Sequence, residues 1–174
     1  MKIPYKPSLF ERINIKPRYI VIHDINCEFD GLAEFQTLSN QFRTGKLRDT
    51  NFLFNAEFDL NYHFVVEKVL DDYETVVGRP LWAVCEHEDI VSPYDKAFHV
   101  LMLGNFNDIN PDDRFYRQMA YRAVSPLMVM FRIPIGNIVL HSEISNSKDK
   151  VQCPGSLFSI DKLTSQLKSL KPKK

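Results

Sequence analysis

Cysteine is scarce in this chain: Cys27, Cys85 and Cys153 are the only three in 174 residues. They are too few and too scattered for a disulfide framework, and an odd count leaves at least one thiol free. Charge of one sign is missing as well. The 22 Lys and Arg are matched by 22 Asp and Glu, which removes the electrostatic reason to expect a nucleic-acid partner. No stretch approaches the ~20 apolar residues that span a bilayer, so no membrane partner is expected. The opening Met1-Lys2-Ile3-Pro4-Tyr5-Lys6-Pro7 has no apolar run after its lysines, and so does not read as a secretory signal. The expectation is cytoplasmic synthesis without an export address. Repeats and low-complexity segments are absent too. What remains is ordinary globular material, 44% hydrophobic and 25% charged, enough for one domain with a substantial core. The basic end, Lys168 to Lys174, reads as a solvated, frayed tail.

Strand and helix signals alternate along the chain. Tyr19-Ile20-Val21-Ile22 is a compact β-branched and aromatic run, and reads as a buried strand. Gly31 to Leu47 carries Leu32, Phe35, Leu38 and Phe42 at helical spacing, with Gly45 as a stop. Tyr62 to Val66 and Tyr73 to Val77 flank Asp71-Asp72 and predict a hairpin. Phe98 to Leu103 predicts a further strand. Asn110-Pro111 predicts a helix start, with Asn as the cap, and the helix runs to about Phe131 burying Phe115, Met119 and Leu127. Pro126 inside it removes a backbone donor and should kink or split it. Ile138-Val139-Leu140 predicts a short strand, and Ser159 opens a last helix with Leu163, Leu167 and Leu170 on one face. Interleaved elements of this kind predict an α/β fold: a single domain, with a mixed central sheet and helices packed on both faces.

Two histidines directly follow predicted strands, His23 after Ile22 and His141 after Leu140. Functional groups in α/β proteins commonly sit at such strand ends. Cys153 is followed by Pro154 and Gly155, a pairing that suits a tight turn and would hold the thiol in a fixed place. Two imidazoles and a thiolate make a three-ligand zinc set with a fourth position open, the pattern of a catalytic site. The same three residues are also consistent with two strand-end histidines satisfied by carbonyls and an inert buried cysteine.

Six blocks then occur in order: Tyr19-Ile20-Val21-Ile22-His23, Tyr62-His63-Phe64-Val65-Val66, Gly78-Arg79-Pro80-Leu81-Trp82-Ala83-Val84, Leu103-Gly104-Asn105-Phe106, Val139-Leu140-His141 and Cys153-Pro154-Gly155. Together they resemble the zinc-dependent N-acetylmuramoyl-L-alanine amidases and peptidoglycan-recognition proteins, the family that includes phage lysozyme-type amidases. The resemblance covers about 19–158, leaving 1–18 as an N-terminal extension and 159–174 as a C-terminal helix with its basic tail.

This resemblance implies one Zn2+ per chain on His23, His141 and Cys153, and Tyr62 as a catalytic hydrogen-bond donor near the metal. It implies a hydrolase, most simply a monomer, that cuts the amide between N-acetylmuramic acid and L-alanine in peptidoglycan or muropeptides. Related recycling amidases carry a glutamate on the later strand, where Leu101 stands here. The family often places a lysine or threonine two residues before the cysteine. That position is Val151 here, so Lys150 becomes the candidate for that catalytic role. His99 and Lys96 replace a small residue and an asparagine of the family's groove. Arg79, Trp82, His87 and His99 are the candidate substrate-binding residues, with Trp82 equally suited to the core and His87 to an exposed loop. His63 reads as a packed, hydrogen-bonded histidine pointing opposite to Tyr62. Asp24 reads either as a partner to the metal ligands or as a solvated strand end. Three further readings remain open: a non-catalytic binding module of the same fold, a cytoplasmic muropeptide-recycling amidase, and a cysteine hydrolase using Cys153 and His141.

Overall fold

The computed structural model describes residues 17–25, 61–85, 87, 89–147 and 152–170. The helix read over 31–47 lies outside them, as do Cys27, Lys150, Val151 and the last four residues of the tail. Five strands form one sheet: β1 (Ile20–Asp24), β2 (Phe64–Val69), β3 (Asp72–Val77), β4 (Phe98–Met102) and β5 (Ile138–Leu140), in the order β3-β2-β4-β1-β5. β2, β4, β1 and β5 are mutually parallel, and β3 returns antiparallel along β2. β1 lies in the middle, between β4 and β5, and every one of its residues is buried. An unbroken apolar run such as Ile20-Val21-Ile22 is what a parallel strand covered on both faces requires. The hairpin is present but one step displaced: Asp72 begins β3 rather than turning, because Leu70 takes the left-handed conformation at φ 54 and lets Val69 pair with Asp72.

The long helical stretch is α1 (Asp113–Gln118), a π-helical segment (Met119–Val124) and α2 (Ser125–Phe131). Its start is a correction to the Asn110 reading. The cap is Asp112, whose carboxylate accepts from the Phe115 amide at 2.8 Å, and Asn110-Pro111 stand ahead of it. Pro126 falls at the start of α2, just after the π segment. There the Ser125 amide reaches back to the Ala120 carbonyl, so the ladder has shifted to i→i+5 before it meets the residue that cannot donate. α3 (His141–Ile144) is a single turn, and α4 (Ile160–Ser169) is capped by the Ser159 hydroxyl as read.

Strand alternation sends two sets of side chains to the two faces. Ile20, Ile22, Phe64, Val66, Phe98, Val100 and Met102 pack with Phe115, Met119, Ala123 and Leu127 of the long helical stretch and with Leu163 and Leu167 of α4. Leu170 ends α4 more than a third exposed. On the other face Val21 packs with Ile90, Ala97 and Ile144, so the one-turn α3 sits opposite the helical layer. This second face carries the polar cluster.

Candidate metal centre

His23 and His141 stand at the C-terminal ends of β1 and β5, which are neighbours in the sheet. Cys153 is brought to the same end by hydrogen bonds to both strands' continuations. The Asp24 amide donates to its sulfur at 3.3 Å, and its carbonyl accepts from the Ser142 amide at 2.7 Å. The donor atoms of His23, His141 and Cys153 all lie within 4.8 Å of one another. That approaches the separation set by bonds of about 2.0–2.3 Å to one shared ion.

The ring nitrogens fit an ion as well. Nε2 of His141 donates to the Asp89 carboxylate at 2.8 Å, while its buried Nδ1 has no partner among the described residues. Nε2 of His23 meets Nδ1 of His99 at 2.9 Å, leaving its own Nδ1 turned toward the Cys153 sulfur at 4.0 Å. Each ligand thus has an outer partner that fixes the tautomer and leaves a lone pair facing inward. The Asp89 carboxylate also accepts from the Ser145 hydroxyl. Burial alone would raise its pKa, but Ser145 and His141 together hold it below the usual carboxylate value.

All five histidines of the chain gather on this face. Burial first, then mutual repulsion, holds His23 and His99 well below their ordinary pKa. Burial likewise lowers His87 to about 3 and His63 to about 4. These rings are neutral at pH 7, the state in which imidazole binds metal. Burial also pushes the Cys153 thiol well up, with Asp24 adding to it. A metal-free Cys153 is therefore a thiol, and becomes a thiolate only beside a cation.

The Cys153-Pro154-Gly155 turn is locked from two sides. The Asp24 carboxylate accepts from the Gly155 amide at 2.9 Å, so Asp24 is a buried partner of the turn rather than a solvated strand end. A Cβ on residue 155 would stand 2.7 Å from the Phe106 carbonyl oxygen and closer still to the Phe106 carbonyl carbon and the Asn107 nitrogen. Gly155→Ala must push backbone apart, and should cost about 1–3 kcal/mol of stability, the usual range for overpacking. Because the turn carries Cys153, metal affinity should fall with it. A melting curve and a zinc titration on the variant check both, and wild-type values in the two would rule out the close approach.

The sequence matches no family model and no curated protein. Solved structures do match. The endolysin N-acetylmuramoyl-L-alanine amidase LysCS from Clostridium intestinale superposes with a TM-score of 0.58 at 20% identity, over 90% of this chain and 86% of that one. An AmpD derivative gives 0.60 at 17% identity, over 87% and 85%. Drosophila PGRP-LB gives 0.51 at 14%, over 91% and 84%. The chain has the amidase fold.

Within this amidase fold the other sequence candidates fall in distinct places. Tyr62 is buried, its ring 5.2 Å from that of His23 and 5.3 Å from that of His87. It precedes β2, and its carbonyl accepts from the Arg79 amide at 2.7 Å, while the neighbouring His63 ring stands edge-on to Phe98 at 5.0 Å. His63 is a packed, hydrogen-bonded ring: Nδ1 accepts from the His99 amide at 3.0 Å and Nε2 donates to the Ala83 carbonyl at 2.9 Å. His87 and His99 line a cavity of about 290 Å³ with Val84, Cys85, Ile90, Asp95 and Lys96. Arg79 is 1% exposed, and its guanidinium donates to the Val84 carbonyl. It shapes the 79–84 loop from within, while Trp82 is 36% exposed at the surface rather than in the core. Lys150 lies outside the described residues. Asp89 and Ser145 were not among the sequence candidates. They sit 52 and 4 positions from His141, with no motif joining them, and are brought together by the isolated bridge between Ile90 and Ser145 and the bond from the Asn146 amide to the Asp89 carbonyl.

Proposed function

We propose that this chain hydrolyses the amide bond between N-acetylmuramic acid and the L-alanine of the stem peptide, in peptidoglycan or its muropeptide fragments. It does so as a monomer with one zinc ion on His23, His141 and Cys153. The observation that carries the reading is the convergence of those three donors, each with an inward lone pair, at the strand ends of a chain with the amidase fold. Zinc bound there would polarise the amide carbonyl and supply a water nucleophile near neutral pH.

The chain's own residues do the rest. Asp89 and His99 hold the two ligand rings in the right tautomer. Burial, reinforced by nearby Cys153, Cys85, Asp89 and Asp24, keeps the Tyr62 phenol protonated well above its ordinary value. Tyr62 is thus a donor, suited to the carbonyl oxygen as negative charge grows on it. On β4 the residue in register with His23 is Leu101, fully buried, so that position offers no carboxylate and leaves proton handling to Tyr62. The cavity beside His87 and His99 gives the substrate its place, with Arg79 and Trp82 shaping the loop around it. Lys150, in the loop before Cys153, is the candidate second donor.

Purified muropeptides incubated with the protein should release stem peptides that begin with a free L-alanine amine, seen by mass spectrometry, and should leave the glycan uncut. Chelation should abolish release and added zinc restore it. New reducing sugar ends would point to a glycosidase. Release that survives chelation but stops on alkylation would make Cys153 the nucleophile, which its raised pKa argues against. Binding without any release would leave a peptidoglycan-binding module.

A further inference from the structure

One buried nitrogen on the site face has no role in the arrangement described. Nε2 of His87 has no hydrogen-bond partner among the described residues, in a side chain only 8% exposed. Leaving such an atom unpaired in the interior commonly costs about 1–3 kcal/mol. His99 faces Nε2 of His23 through its own Nδ1, so Nδ1 is the His99 nitrogen turned toward a shared ion. The three rings crowd one another: His87 stacks on His23 at 4.7 Å and on His99 at 4.4 Å. One donor atom from each of His23, His87 and His99 lies within 4.8 Å of the other two, a second convergent set beside the first. His87 and His99 of this set also line the cavity described above, and Cys153 does not.

We propose that His23, His87 and His99 form a second metal site, selective for a divalent transition ion that favours imidazole, such as Zn2+, Co2+, Ni2+ or Cu2+. The site shares His23 with the metal centre proposed above: Nδ1 serves the Cys153 side and Nε2 the His99 side. The proton that lies between Nε2 of His23 and Nδ1 of His99 leaves to solvent as the ion takes its place, so His23 becomes a bridging imidazolate. An all-nitrogen set of this kind suits borderline metals rather than Mg2+ or Ca2+.

Cobalt separates the two sites by colour, because only a thiolate-ligated ion gives a strong sulfur-to-metal charge-transfer band. Metal-stripped protein titrated with Co2+ should take up two equivalents. The near-ultraviolet thiolate band should saturate at one, the visible bands should grow to two, and the second equivalent should release a proton to a weakly buffered solution. The double variant H87Q/H99Q should stop at one equivalent with the thiolate band intact, which also reports that the fold survives. Cys153→Ser should lose the band yet still bind cobalt through nitrogen. Wild-type protein that saturates at one equivalent with a full thiolate band would overturn the second site and leave the first standing. One equivalent without that band would instead overturn the Cys153 centre and keep the nitrogen site. Two equivalents in H87Q/H99Q would place the second ion elsewhere and end the proposal.

Discussion

Tyr62→Phe should lower muropeptide hydrolysis by about 10² to 10³-fold, the loss commonly seen when one transition-state donor is removed. The change deletes a hydroxyl and keeps the ring, so the contacts at 5.2 Å to His23 and 5.3 Å to His87 persist. Zinc content and melting temperature should therefore stay near wild type while turnover falls. The depth of the effect follows from burial: in a site shielded from water a hydrogen bond to developing charge is worth far more than one in solvent. Lys150→Ala should cost less. Full activity in Tyr62→Phe would reduce the tyrosine to packing, and His87 and His99 would be the next donors to test.

The metal-free chain should be sharply acid-labile. His63 and His87 titrate near 4 and 3 in the folded state, against 6.5 for an ordinary histidine, and burial is the first cause of both shifts. The unfolded chain takes up protons below about 6.5 that the folded chain refuses, so stability is full above that value and declines as the pH falls toward 4. Each such ring costs about 1.4 kcal/mol per pH unit across the window. His63 and His87 together thus remove roughly 4 kcal/mol by pH 5, before His23 and His99, which are lowered in the same direction, are added. Against a typical total of about 5–15 kcal/mol that is a large share. Urea midpoints of chelator-treated protein between pH 7.5 and 5 would measure it, and a flat profile would mean that these rings are not buried neutral. Bound zinc should protect, because it holds His23 and His141 in the neutral form it requires.

How much of this was legible in the sequence depends on the distance over which each signal acts. His23 and His141 were legible because both end apolar strand runs, and Cys153 because Pro154 and Gly155 announce a turn. The close approach of Gly155 to Phe106 and Asn107 was not, since it joins segments nearly fifty positions apart. Asp89 was silent for the same reason: its meaning comes from His141, 52 positions later. Local rules failed where an element boundary moved by two residues. Asn110 looked like a cap until Asp112 took the bond from Phe115, and Tyr62 looked like a strand residue until β2 began at Phe64. Burial of Arg79 in its own loop ran against the usual expectation for a charged side chain, and its bond to the Val84 carbonyl is part of what offsets it.

β1 occupies the middle of the sheet, yet both strands beside it are made long after it, and the cysteine that would complete the proposed metal set comes 130 residues after His23. During synthesis His23 must wait through most of the chain before it has any neighbour on either edge. Its pairing is therefore of high sequence separation throughout, the kind that closes slowly and late. A chain that stops short of Cys153 holds all five strands yet lacks the third donor of the proposed metal set. On the proposed reading, the metal set is completed in one step, when the segment carrying Cys153 docks on a sheet that is already paired.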